Sequence, residues 1–506
     1  MSQTPLSPDA TPLQGPQTQS IRLVIGSVAV LLLLASLDQT IVSTALPTIV
    51  ADLGGLDHLS WVVTAYILAS TIAAPLYGKL GDLYGRRRMV FFSVGLFLLG
   101  STLCGLAQSM GFLIGARALQ GLGGGGLFVL ALSVIGDVIP PRDRGKIQGV
   151  FAGVFSLSSV MGPLMGGWFV DAFTWHWIFF INLPLGALAV AGFALGFSGT
   201  GTRASHKIDW AGAAALSLSL GSLTLVTSLG GRSIEWSSPA ALGLIALCLG
   251  ATAAFIAIER RAAEPILPLS LFTQNVFVYT CVLGFITGAA LFGAITFLPL
   301  YLQVAKGIAP TVSGLLLIPL TVGILIASTS AGQFMGRTGR YRILPMIGMA
   351  LILAGALLLT RIERDTGLVT FGLSIGVLGM GLGCIFPVVT TAVQSAVPRN
   401  LLGTATAAGV MFRQVGGSLA VAVYGAAFAG RMADVLGDKA TSLGGEIGPQ
   451  LMATLPPAMQ ELVATAIVTA VHPIFWATAV MALIGLGFAQ LLKEVPLTNR
   501  MAPKGE

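Results

Sequence analysis

Residues Gly78-Lys-Leu-Gly-Asp-Leu-Tyr-Gly85-Arg86-Arg87-Arg88 return 254 positions later as Gly332-Gln-Phe-Met-Gly-Arg-Thr-Gly339-Arg340-Tyr-Arg342. Each copy is an eleven-residue connection between two apolar runs, opened by glycine and ended by arginine. The same offset relates Gly149 to Gly403 and Gly162 to Gly416. One spacing shared by a loop and its neighbouring segments marks an internal duplication, the repeat logic of secondary transporters.

Around these loops the chain is apolar. Of 506 residues, 55% are hydrophobic and only 9% charged, and the mean hydropathy is +0.88. A soluble domain carries about 25% charged residues, so soluble globular, disordered and nucleic-acid-binding readings are excluded. Apolar segments recur near 22–46, 59–77, 89–108, 111–135, 146–170, 177–197, 209–230, 239–258, 276–302, 311–335, 343–360, 368–390, 403–428 and 473–491. Each can cross roughly 30 Å of hydrocarbon as a helix, and backbone in lipid must satisfy its own hydrogen bonds. Setting aside two spans between about 205 and 265 leaves two six-helix halves. The expected fold is an all-α integral membrane protein of 14 transmembrane helices, six, two and six, in two pseudo-symmetric bundles. The expected divisions are a disordered tail at 1–20, bundles at 21–200 and 266–495, a two-helix insertion at 201–265 and a tail at 496–506.

An even number of spans puts both termini on one side. With that side cytoplasmic, the inner segments hold 19 Lys and Arg and the outer ones 6, while acids divide 9 to 10. Basic residues gather on cytoplasmic loops, so both termini are expected in the cytoplasm. Met1 to Ser20 is rich in Pro, Ser and Gln and lacks a basic start, which reads as a tail rather than a signal peptide. The one long outer segment, 429–472, holds Met459, Leu462, Val463, Ala466, Ile467 and Val471 at helical spacing after Pro456-Pro457. It reads either as a plain connector or as an amphipathic helix lying on the outer surface. The four cysteines sit in apolar runs without metal spacing and read as buried small hydrophobes. No metal and no cofactor is expected. Neither a phosphate-binding loop nor a His/Asp/Cys cluster within spans supports an enzyme, and no acidic ring supports a channel.

The loop Gly-x-Leu-x-Asp-x-x-Gly-Arg-Arg-Arg resembles the signature of the major facilitator superfamily. Further stretches agree: Leu37-Asp38-Gln39-Thr40 through Pro47; Trp61-Val-Val-Thr-Ala-Tyr66; Arg117-Ala-Leu-Gln120-Gly121-Leu-Gly123-Gly124; and Gly149 with Gly162-Pro163-Leu-Met-Gly166-Gly167. Trp175-His176-Trp177-Ile-Phe-Phe-Ile-Asn182-Leu-Pro184 follows. Together they resemble the fourteen-span drug:proton antiporters of bacteria over about residues 22–492. Ser158 replaces one motif glycine, and His176 stands where the family more often has Arg.

Asp38 is the only acid placed inside a span. An ionised Asp at a helix centre costs roughly 2.5–3.5 kcal/mol on insertion scales, and a proton removes that cost. A carboxylate that holds either a proton or a cationic cargo couples the two by exclusion, so Asp38 is expected to bind both. Arg117, equally unfavourable in mid-membrane, must find a partner. The resemblance implies that Arg117 takes part in proton transfer, with Gln120 beside it at i+3. Arg413 is its second-half counterpart, serving structure or substrate contact. Trp61, Tyr66, Phe292, Phe297, Tyr301 and Met411 are read as lining for a cavity suited to lipophilic cations, two or three of them in fact.

For the conformational switch, the resemblance implies that Asp82, with Arg86, Arg87, Gly78 and Gly85, meets a helix N-terminus when the cytoplasmic side is closed. Gly336 stands at the Asp82 position of the second copy, so this lock is expected on one side only. Gly162 and Pro163 let their span bend, and the resemblance places that bend between the halves. The run Gly123 to Gly126 reads as packing.

The expected function is proton-coupled export of amphipathic, lipophilic and often cationic drugs across the bacterial inner membrane by alternating access. Export of lipid or glycolipid is the alternative. Expected partners are membrane lipid, small amphipathic substrates and protons, with no nucleic acid. A periplasmic adaptor, where one is used, would be a separate chain, and the protein is expected to be a monomer.

Overall fold

The structure is a computed structural model that describes residues 20–54, 58–197, 208–231, 234–437, 452 and 455–497. Both tail assignments rest on residues outside these bounds, apart from Ser20 and residues 496 and 497. The described chain is built of helices: α1 (Ile21–Leu53), α2 (Leu59–Tyr84), α3 (Arg86–Gly105), α4 (Met110–Val138), α5 (Pro141–Ala172) and α6 (Trp177–Gly196). Next come α7 (Trp210–Leu229) and α8 (Pro239–Glu259). The last six are α9 (Asn275–Leu300), α10 (Ile318–Thr338), α11 (Ile343–Leu359), α12 (Leu368–Ala396), α13 (Leu402–Leu436) and α14 (Pro457–Leu491). Thirteen are long and apolar enough to cross a membrane, and α11, with 17 residues, is the short one. At 1.5 Å per residue it still spans about 25 Å.

Burial divides the helices into two groups. Val28, Leu34, Tyr66, Val94, Phe97 and Phe193 form the core of α1 to α6. Leu283, Leu298, Ile352, Phe371, Leu382 and Phe475 form that of α9 to α14. The insertion packs on itself, with Ser219 Oγ 2.7 Å from Thr252 Oγ1, and lays Leu216 and Leu220 against Phe277, Ala408 and Met411.

One face gathers the basic loops. Arg87 donates to Ala194 O, and Gly196 packs on Leu23, so the start of α1 lies there. Asn275 Nδ2 donates to Leu491 O and Arg342 Nη2 to Gln490 O, which brings the end of α14 to the same face. The turn between α2 and α3 needs Gly85, whose φ of 89° lies in the left-handed region that side chains disfavour.

The outer segment differs from both readings of it. Residues 457–471 are neither a connector nor a surface helix but the first turns of α14, which continues through Pro473. Val463, Ala466, Ile467, Ala470 and Val471 are buried against protein, so their stripe faces the core. The ring of Pro473 removes one backbone bond, which neighbouring helices in a bundle tolerate. Helices α13 and α14 have 35 residues each, about 52 Å, and reach well beyond the hydrocarbon. The rest of that segment, 438–451 and 453–454, lies outside the described residues.

Candidate functional site

On the basic face the two halves are locked together. Asp82 accepts from Gly403 N (3.0 Å), Thr404 N (2.8 Å) and Thr404 Oγ1 (3.0 Å) at the start of α13. Arg86 donates to Asp82 and, at 3.0 Å, to Asp137. A carboxylate on free N–H groups at a helix N-terminus meets favourable charge. Gly78 makes the approach possible, since a Cβ there would stand 2.7 Å from Gly403 O. On the pseudo-symmetric side Gly332 meets Gly145, and Arg142 donates to Gly336 O (2.7 Å) and Arg337 O (2.5 Å). The carboxylate contact is thus one-sided, but the second interface is closed as well, by guanidinium on carbonyls. Arg87 belongs to its own half, donating to Ala194 O and lying over Phe91.

Further from that face, the first half encloses Asp38. Its Oδ2 accepts from Arg117 Nη1 at 2.7 Å, and its Oδ1 from Gln120 Nε2 at 2.7 Å and Asn182 Nδ2 at 2.9 Å. Arg117 also donates to Gln120 Oε1 (2.6 Å) and Val62 O (3.2 Å), and lies over the Tyr66 ring at 4.3 Å. Asn182 donates to Ser101 Oγ at 2.9 Å, and Ser101 in turn donates to Phe179 O. Helices α1, α2, α3, α4 and α6 all end in this network. Small residues bring them close: a Cβ on Gly100 would stand 2.4 Å from Gln120 N, and one on Gly121 2.4 Å from Tyr66 O. Removing one partner of a buried ion pair costs about 3–5 kcal/mol, because the other charge is stranded. Asp38 is 0% exposed, so a cargo cation has no direct access to it here.

The geometry therefore unites Asp38, Arg117, Gln120 and Tyr66 and adds Asn182, Ser101 and Cys104, the last with Sγ 3.6 Å from Gln120 Oε1. Sequence reasoning missed these three. Asn182 stood in the quoted Trp-rich stretch as the one amide among apolar neighbours, which was the available signal.

Other expected positions lie apart. Trp61 is half-buried on α2 and makes none of these bonds. Phe297 packs with Phe428, Tyr424 and Ile474, Phe292 covers Gly417, and Met411 faces the insertion. Tyr301 donates to Glu363 O and stacks on Phe371. Helices that are apolar all round carry no period telling which face is wet. Gly162 and Gly166 pack on Thr40, Ile41 and Thr44 of α1, within one half. It is the earlier part of α5, at Gly145, Gly149 and Gly153, that meets α10 across the interface. Arg413 lies with its guanidinium 5.6 Å from the Phe128 ring of one half and 5.4 Å from the Phe386 ring of the other. Among the described residues it has no hydrogen bond or ion pair.

Comparison with known proteins places this geometry among transporters. The family profile described as Major Facilitator Superfamily matches residues 28–421. The chain is 35% identical over 522 residues to the multidrug transporter protein MdtP of Bacillus subtilis, covering 97% of this chain and 96% of the relative. It is 38% identical over 499 residues to an uncharacterized MFS-type transporter of Mycobacterium tuberculosis, covering 97% and 73%. Its fold matches the proton:xylose symporter XylE with a TM-score of 0.60 at 14% identity, over 94% of this chain and 96% of that one.

Proposed function

The chain belongs to the Major Facilitator Superfamily, and from that premise we propose that it is a proton-coupled exporter of amphipathic compounds, with its basic face in the bacterial cytoplasm. It is a multi-pass membrane transporter and not an enzyme. Proton coupling is carried by one observation: the fully buried Asp38, held by Arg117, Gln120 and Asn182 from two other helices.

The ionised carboxylate holds these donors on α1. A proton delivered from the outer side cancels the charge that Arg117 answers, and Arg117 keeps Val62 O and Gln120 Oε1. Helix α1 is then bound less tightly to α4 and α6, which shifts the balance between outward-open and inward-open arrangements. On the inner side cargo binding favours release of the proton. Asp38 exchanges the proton without touching cargo, which separates it from the direct trade expected of an exposed carboxylate.

Purified protein in proteoliposomes tests this. Asp38→Asn should abolish uphill export and cargo-induced proton release, while Asp38→Glu should keep a measurable part of both. Uphill transport by Asp38→Asn at the unaltered protein's rate would remove Asp38 from the coupling.

A further inference from the structure

Charge in the middle of the molecule does not balance. Asp38 and Arg117 answer each other, whereas Arg413 has no acid partner among the described residues. Among the described residues, no Asp or Glu lies within the spanning part of α9 to α13 between Asn275 and Ala433, outside the loop residues Glu363 and Asp365. Arg413 is ten residues along α13 from Gly403, or about 15 Å above the Asp82 lock at 1.5 Å per residue. It therefore stands at membrane depth, where an unpaired guanidinium is strongly disfavoured.

Its surroundings fit a missing partner. The guanidinium carbon stands 5.6 Å and 5.4 Å over the rings of Phe128 and Phe386, and its five planar N–H donors form a fork that matches carboxylate and phosphate. Beside it, a recess is lined by Thr287, Thr390 and Thr406 among the apolar Phe386, Val389 and Val410. The recess holds a volume of about 20 Å³, room for roughly one water-sized group. That admits the oxygen of a headgroup and leaves the apolar body outside it.

We propose that Arg413 is the cargo headgroup site, and that the cargo it selects is an amphiphile bearing an anionic group, a carboxylate or phosphate. This names the substrate class of the exporter proposed above and rests on that reading. An entering monocation, by contrast, meets an interior with one positive charge in excess. The electrical consequence follows. Exporting a monoanion against one incoming proton moves two charges, so 100 mV contributes about fiftyfold twice over, whereas one-for-one exchange with a monocation moves none.

The test compares pyrenebutyrate with its uncharged methyl ester, which differ at the headgroup alone. Binding to purified protein should favour the acid in the unaltered chain. Arg413→Gln should lower the acid-to-ester affinity ratio by about tenfold, the loss of one charge-assisted pair, and Arg413→Lys should keep part of it. A ratio within one sample is insensitive to a folding loss. With the protein held in phosphatidylcholine nanodiscs, adding phosphatidylglycerol separates two sources of the same chemistry: competition in the unaltered chain marks a lipid phosphodiester, and none marks a soluble acid. A second measurement clamps the membrane potential at equal pH, where pyrenebutyrate export should be driven by voltage. An acid-to-ester ratio near one in the unaltered chain, or the same ratio in Arg413→Gln, overturns the proposal. Arg413-dependent binding without Asp38-dependent transport would instead sink the exporter reading and keep this site.

Discussion

Asp82 in the first copy of the loop takes the amide N–H groups of Gly403 and Thr404 at the start of α13, whereas at the matching place in the second copy the Gly336 carbonyl takes Arg142 of α5. Both contacts fit the helix they meet, because a helix presents partial positive charge at its N-terminus and partial negative charge at its C-terminus. They differ in depth. The Asp82 and Arg86 side chains are 3% and 6% exposed, while the Arg142 contact to Arg337 O is open to solvent. They also differ in register. Gly78 meets Gly403, but Gly332 meets Gly145 rather than Gly149, the repeat equivalent of Gly403. The second interface is offset by four residues, one turn or about 6 Å. A duplicated sequence has thus produced one deep charged latch and one shallow carbonyl clasp.

Asp82→Ala should break the comparison most severely. It leaves Arg86 with Asp137 and Gly78 O and should destabilise the closed basic face by about 3 kcal/mol. Spin labels placed on the two halves should show the longer-distance population become dominant; an unchanged distance distribution would mean that the latch carries no bias. Arg142→Gln should act in the same direction with about 1 kcal/mol, a few-fold shift in the same distances. An effect as large as that of Asp82→Ala would show that burial does not set the order. The smallest effect should come from Gly336→Asp, which supplies the missing acid to the second copy. A Cβ there meets the movable end of Lys146, so the new carboxylate can pair with it and favour closure by about 0.5 kcal/mol or less. A shift toward opening would indicate that repulsion from Asp143 prevails.

The fourteen spans and the two halves were legible because apolar length and a repeated loop are strong one-dimensional signals. Asp38, Arg117 and Gln120 were legible because a charge among apolar helices demands a partner. Asn182 and Ser101 were not, since a neutral polar residue in a span satisfies itself locally as readily as across helices, as Ser27 does with Leu23 O. Residues 457–471 were misread because Pro473 ended the apolar window, although the bundle closes around it. Phe292, Phe297 and Met411 lie apart from the Asp38 network, and no sequence signal separates them from it, because an aromatic or thioether side chain suits lipid, core and cavity alike. The unpaired state of Arg413 was beyond the sequence, as it depends on what the other half places nearby.

Helix α4 has a further consequence. Gly121 and Gly125 rest on the backbone of α2 at Tyr66 and Ser70, and Gly123 rests on that of α3 at Phe97. With no side chains between them, the three helices cannot slide or tilt separately, and a disturbance at Arg117 has no soft layer in which to dissipate. Under the proposed coupling, a change of charge at one end of this block would reach the latch at the other as a lever stroke, some two dozen ångströms away along α2.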